Sequence, residues 1–307
     1  MPDESLSQVR GIDVSVYQGK PDWAAVAASK LVDFVYARAL IGTDPKRPDG
    51  SFVYNWSGIK SAGLKRGAYY FYRIIHDPVV QADAFYAVVG DLEDGDLPPM
   101  IDVEVPRGSV LPVDFAKHLR KHIERVEALF KRRVIIYTGG PIFDANTNGA
   151  DVADLDFFSE RDLWLAAYVT NPQRYVPKVW ADKNKTWFIW QDKGDVGPNG
   201  TPGFRVAGIN GVVDHDVMST VAAVTLDVWV KRSFIIEEKP VPVEEHVVVA
   251  TPVETYREVK SVPVVVAPVP APQQSSIIVR PEQRPTGVLG FIMMFIQFLM
   301  MLFGQKK

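Results

Sequence analysis

Eight short apolar runs recur between residue 9 and about residue 230: RGIDVSV, VDFVYARAL, RGAYYFYR, PPMIDVEV, RRVIIYTGG, DLWLAAY, TWFIWQDK and GVVDHDVM. Each has the length and β-branched or aromatic content of a strand. Segments of helical character lie between the early ones: PDWAAVAASK, SFVYNWSGIKSAG, PVVQADAFYAVVGDL and PVDFAKHLRKHIERVEALFKR. In the last of these Phe115, Leu119, Ile123, Val126 and Phe130 stand at helical spacing, which predicts one amphipathic helix. Strands alternating with helices predict a parallel sheet, and eight strands predict its closure into a barrel. After YTGG the helical segments weaken, and beyond LWLAAY the connections become irregular. The last strands are therefore expected to lack full helical crossovers.

The pattern changes after the eighth run, so the barrel is expected to occupy residues 9–232. Residues 233–286 are dense in Pro and Val without helical period, which predicts an extended, polyproline-like linker. A small β-appendage built from HVVVATPV and VPVVVAPV is the alternative. Residues 287–304, GVLGFIMMFIQFLMMLFG, form an apolar run interrupted only by Gln297. As a helix it would be about 27 Å long, close to the hydrocarbon thickness of a thin bilayer. It has no polar face, and Arg280, Arg284, Lys306 and Lys307 flank it. A membrane-spanning or membrane-interacting helix is expected there, with an oligomerising helix as the alternative. The first ten residues, MPDESLSQVR, lack the basic and apolar regions of a cleaved secretory signal.

Acidic residues sit where three of the predicted strands end. Side chains alternate along a strand, so Met100, Asp102 and Glu104 share one face and Ile101, Val103 and Val105 the other. By the same rule Asp13 pairs with Ser15, and Asp214 with Asp216. Chemistry in a closed α/β barrel sits at the C-terminal ends of its strands. If strands one and eight meet, Asp13 lies beside Asp214, with Asp102 and Glu104 across the mouth. Burying such acids is costly unless the cost has a use. A glycosidase supplies one: burial and neighbouring charge keep one carboxyl protonated as a general acid, while another stays ionised to stabilise a developing oxocarbenium ion.

Composition narrows the alternatives. The chain has 307 residues and a formal net charge of −3, with no basic run to bind nucleic acid. Cysteine is absent, which excludes disulfides, thiolate metal sites and a cysteine nucleophile. An all-carboxylate Mg²⁺ or Ca²⁺ site is the competing reading of the acids. His118 and His122 stand four apart but outside any HExxH motif. Neither a metal nor a cofactor is expected. Aromatics at or just past strand ends, among them Tyr69, Tyr70, Tyr137, Trp164 and Tyr168, suit stacking on sugar rings.

The order and spacing of GIDVSVYQG followed by Asp22–Trp23, then GAYYFYR, PPMIDVEV, IIYTGG, LWLAAY, WQ and GVVDHDV resemble glycoside hydrolase family 25, the Chalaropsis-type lysozymes. The resemblance covers residues 10 to about 220. It implies a TIM-like α/β barrel of eight strands and about five regular helices. It also implies hydrolysis of the β-1,4 bond between N-acetylmuramic acid and N-acetylglucosamine in peptidoglycan. Carried over by motif, Glu104 would be the general acid. Asp102 would steady the reacting sugar, as nucleophile or by polarising its 2-acetamido group. Asp13 and Asp214 would tune these acids and hold the sugar. Tyr69, Tyr70, Tyr137, Trp164, Tyr168, Gln191 and Asp216 would line the groove. Three positions depart from the family pattern: Tyr70 replaces a His, Ala167 a polar residue and Asp216 an Asn. The added acid at Asp216 is expected to raise the pKa of Glu104 and move the pH optimum upward.

The expected partners are therefore peptidoglycan and, through the tail, a membrane. The protein is expected to be membrane-associated and to act on the cell wall, as a phage or bacterial lysin. A catalytically inactive wall-binding module and a holin-like permeabilising protein carrying the barrel are the alternative functions.

Overall fold

The computed structural model describes residues 8–220 and 224–235. All eight apolar runs become strands: β1 (Arg10–Val14), β2 (Phe34–Ile41), β3 (Lys65–Phe71), β4 (Met100–Asp102), β5 (Ile135–Thr138), β6 (Asp162–Ala166), β7 (Ile189–Lys193) and β8 (Asp214–Met218). They pair in chain order, and β8 closes the barrel on β1.

Around the strands lie α1 (Trp23–Ala28), α2 (Phe52–Ser61), α3 (Pro78–Val89) and α4 (Pro112–Phe130). The later helices are α5 (Gly140–Thr147), α6 (Val152–Ser159), α7 (Lys178–Ala181) and α8 (Leu226–Ser233). Where about five regular helices are expected, eight helical segments occur among the described residues, and only α2, α3 and α4 reach ten residues. Segments of about two turns hold too few positions to establish a period in sequence. The longer helices carry clear local signals. The Asp77 carboxyl caps α3 by accepting from the backbone N–H of Val79 and Val80, with Pro78 in the first turn. Helix α4 buries Phe115, Leu119, Ile123, Val126 and Phe130, the stripe expected from spacing.

Strand direction differs from expectation at one place. β8 is antiparallel to both β7 and β1. A parallel strand needs a crossover that returns the chain to the other end of the barrel. Between β7 and β8 the chain instead makes a 3-10 turn at Pro198–Gly200 and isolated bridges Val196–Pro202 and Phe204–Val213. The chain therefore enters β8 from the mouth, and the order of its side chains from mouth to base is reversed.

Two apolar layers result. Ile12, Val35, Ile101, Ile136 and Leu165 face outward against the helices. Phe34, Tyr36, Met100, Ile135, Trp164 and Ile189 fill the barrel interior. Glycines make room for the interior rings: a Cβ at Gly11 would stand 2.2 Å from the Phe34 ring, and one at Gly67 2.4 Å from Tyr36. Helix α8 packs beneath, with Trp229 and Val230 joining the interior layer. Beyond it Phe234 bridges to Arg132, and the Ile235 N–H donates to the Lys131 carbonyl. Contacts of the fold thus continue past residue 232, where the linker is predicted to begin, through Ile235, the last residue described. From residue 236 onward the predicted linker lies outside the described residues, as does the apolar run 287–304. No helix among the described residues is long and apolar enough to cross a membrane.

Candidate active site

The mouth of the barrel gathers the strand-end acids. Asp13 is the cross-strand neighbour of Asp214. Asp102 ends β4, and Glu104 lies two residues past that end, half-buried. Asp13 and Asp102 are buried, with 9% and 6% of their surfaces exposed. Burial is the main influence on every one of them. It pushes Glu104 up to about 7, with help from the charge of Asp13 and against Arg38. It lifts Asp13 to about 6, opposed by a hydrogen bond from Gln191 and by Arg38. Asp102 is raised well above the ordinary carboxylate range by burial and then by Glu104 and Asp13. Asp214 is raised in the same way, by burial and then by Asp13, Asp195 and Glu104. Like charges in a desolvated space favour protonation, which is the condition a general acid needs near neutral pH.

Arg38, which is not among the residues predicted from sequence, is a cation of this cup. It follows Phe34 and Tyr36 on the inward face of β2, so parity marks it as an interior-facing charge. Its guanidinium Nε donates to Asp49 Oδ2 at 2.9 Å and stands 5.3 Å over the Tyr17 ring. Asp49 Oδ2 also accepts from the Val16 N–H at 3.1 Å. The arginine is thus tethered at the rim while its charge restrains Asp13, Asp102 and Glu104.

The aromatic candidates separate by layer. Tyr69 is buried in the interior layer and feels Asp13, Asp102 and Asp214. Tyr137 donates its hydroxyl proton to Gln191 Oε1 at 2.9 Å, and Tyr168 donates to the same oxygen at 2.7 Å. Gln191 Nε2 in turn donates to Asp13 Oδ2 at 2.7 Å. Tyr168 is 36% exposed and reaches the rim. A Cβ at Gly194 would stand 3.0 Å from the Tyr168 hydroxyl and 3.3 Å from Asp214 Oδ1, so these two groups border one narrow space.

Three predicted groove residues lie elsewhere. Tyr70 points outward, its ring 5.5 Å from Phe85 and 5.3 Å from His122, with its hydroxyl donating to the Gly42 carbonyl. It is one residue from Tyr69, and alternation sends it to the helix layer. Trp164 is fully buried, edge-on to Tyr36 at 4.9 Å and Tyr137 at 5.9 Å, and forms part of the floor. Asp216 is also fully buried, because the reversed β8 places it one layer below Asp214, opposite Gly11 and Gln191. Its Oδ1 accepts from Trp164 Nε1 at 3.1 Å, and its Oδ2 has no partner among the described residues.

Burial, then Asp13 and Asp214, raise Asp216 well above the usual range, so it is held as a neutral acid. The charges acting on Glu104 are those of Asp13 and Arg38, and an upward shift of Glu104 by Asp216 has no direct support. A folded-state pKa above the unfolded one means that the native state binds more protons between the two values. Stability from this group then falls as pH rises through that interval and stays lost above it. Asp216→Asn is therefore expected to raise stability at pH 8 by about 1 kcal/mol, and to have less effect at pH 4. Urea denaturation at both pH values measures it, and equal effects at the two would contradict a neutral buried acid.

Among the described residues no three His, Asp or Glu side chains are disposed to hold a metal ion. The family model described as Glycosyl hydrolases family 25 matches residues 12–197. Lysozyme M1 of Streptomyces globisporus is 30% identical over 237 residues, which cover 72% of this chain and 74% of that protein. The YegX protein of Escherichia coli (strain K12) is 32% identical over 217 residues, 69% of this chain and 70% of that one. Among solved structures, the bacterial lysozyme from Streptomyces coelicolor has a TM-score of 0.61 at 28% identity, covering 74% of this chain and all of that one.

Proposed function

The chain belongs to glycosyl hydrolase family 25 and is a glycoside hydrolase; we propose that it cleaves peptidoglycan at the β-1,4 bond between N-acetylmuramic acid and N-acetylglucosamine. The observation that carries this reading is Glu104, half-buried at the barrel mouth and pushed up to about 7 beside Asp102 and Asp13. Protonated Glu104 gives its proton to the glycosidic oxygen as the bond breaks. Positive charge then develops at the anomeric carbon; ionised Asp13 supplies the negative charge of the cup, and Asp102 assists the reacting sugar through its 2-acetamido group. Asp102 Oδ1 has no partner among the described residues, a valence left for the sugar's 2-acetamido group. Glu104, now ionised, takes a proton from the water that completes hydrolysis.

Fragments released from purified peptidoglycan test this reading by mass spectrometry. Products with N-acetylmuramic acid at the reducing end are expected. Binding to the wall without any released fragment would leave only a wall-binding module.

The pH dependence follows from the same groups. Activity needs Glu104 protonated, so it falls as pH rises through about 7. It needs the negative charge of Asp13, so it falls as pH drops through about 6. A narrow bell centred between these values is expected in kcat/KM. A flat profile from pH 5 to 9 would exclude these two groups as its source.

The tail supports a membrane-associated lysin acting on the cell wall, because residues 287–304 form an uncharged apolar run. Co-sedimentation with liposomes is expected for the full chain and lost in a chain ending at Ile235. Equal sedimentation of the two would remove the tail from this role.

A further inference from the structure

Three hydrogen bonds meet on one side-chain amide at the bottom of the cup. Gln191 is 2% exposed and has two polar ends of opposite character. Its Oε1 carries no hydrogen, so both tyrosines that contact it must donate: Tyr137 at 2.9 Å and Tyr168 at 2.7 Å. Each hydroxyl has one proton, and burial with neighbouring acids raises both tyrosines well above their usual pKa, so both protons stay in place. Each hydroxyl is left with lone pairs alone. At the other end Nε2 donates to Asp13 Oδ2 at 2.7 Å. The reverse amide orientation would set the amide oxygen against the Asp13 carboxylate, two acceptors with no proton between them while Asp13 is charged.

We infer that Gln191 is a positioning residue that sets the polarity of the cup, holding Asp13 as a charged acceptor and turning Tyr137 and Tyr168 into acceptors for a donor group of the substrate. In peptidoglycan the donors within reach of such a pair are the acetamido N–H and the ring hydroxyls. Asp102, with an unpartnered Oδ1, has no such donor among the described residues. The resting negative charge of the cup therefore sits on Asp13. The groups that face Asp13 from the surrounding strands are Arg38 on β2, Tyr69 on β3, and Asp102 and Glu104 at the end of β4. Tyr137 on β5, Tyr168 past β6, and Asp214 and Asp216 on β8 complete the set. Of these, Arg38 also favours the charged form, and the acids oppose it.

This inference rests on the muramidase reading, and its test has one arm that needs no turnover. Gln191→Met keeps side-chain length and removes both polar ends. With peptidoglycan as substrate, the acid limb of kcat/KM is expected to move up by about one pH unit while the alkaline limb stays. A uniform loss at all pH values would mark a merely structural role and overturn the inference. Tyr137→Phe with Tyr168→Phe is expected to raise KM several-fold and leave the acid limb in place. A KM no different from wild type would remove the acceptor role. The turnover-free arm follows the Asp13 carboxyl by ¹³C NMR in the wild-type protein. Asp13 is expected to ionise at lower pH than Asp102. The reverse order would overturn the inference even if Gln191→Met fails to fold, and wild-type inactivity with the expected order would fault only the muramidase reading.

Discussion

Glu104→Gln is expected to lower the release of reducing ends from peptidoglycan by about 10² to 10⁴-fold, the range carried by a general acid. The amide has the shape of the acid but no proton to give the leaving oxygen. Glu104 makes no side-chain hydrogen bond to another described residue, so the substitution breaks no contact that holds the fold. The folded state keeps Glu104 protonated up to about pH 7, above its unfolded value, so the charged form is the less favoured one. A neutral amide removes that penalty, and stability at pH 8 is expected to stay level or rise slightly. The contrast of lost turnover with an intact fold separates a catalytic role from a structural one. Retention of more than half the wild-type rate by a folded Glu104→Gln protein would remove Glu104 from the mechanism.

Trp229→Ala is expected to destabilise the barrel by about 3 to 5 kcal/mol, as for other buried tryptophans replaced by alanine. Trp229 lies on α8, outside the residues matched by the family model, yet it is 1% exposed. Its ring packs 5.0 Å from Phe188, and its Nε1 donates to Asp162 Oδ2 at 2.9 Å. Around it, Arg132 donates to the Val230 carbonyl and to Ser233 Oγ, both at 3.3 Å, where the carbonyls at the end of α8 lack helical partners. The Phe234 ring sits under the same guanidinium at 3.3 Å. Losing the indole forfeits the burial of roughly 200 Å² and its packing against Phe188 and the interior layer. Urea denaturation measures the loss, and a chain ending at residue 220 is expected to be less stable still. If that shortened chain unfolds at the wild-type midpoint, α8 is not part of the cooperative unit.

The strands and the acid pairs were readable because period-two alternation needs only local chemistry. Asp13, Asp102 and Glu104 stand on parallel strands or just past them, so parity and the C-terminal-end rule were enough to bring them together. Tyr70 shows where motif matching outran parity, since its neighbour Tyr69 already occupied the inward position. Arg38 was equally open to parity, but a lone arginine in an apolar strand reads as surface until the layer it faces is known. The α8 closure was hidden for a different reason: a short amphipathic segment next to a Pro/Val-rich stretch gives no sign of what it covers.

Asp214 and Asp216 mark the boundary between the two kinds of knowledge. Alternation along the chain assigns both to one face of one strand, and that holds in the fold. Their depth depends on the direction in which β8 runs, and direction depends on whether the preceding connection crosses the barrel. No α-helix forms between β7 and β8, so the strand descends from the mouth. Asp214 stays at the rim beside Asp13, while Asp216 is carried down onto Trp164 as a buried neutral acid. A sequence specifies which side chains share a face through local stereochemistry; which of them meets the substrate is set by long-range pairing, because depth in a barrel is a property of the closed sheet.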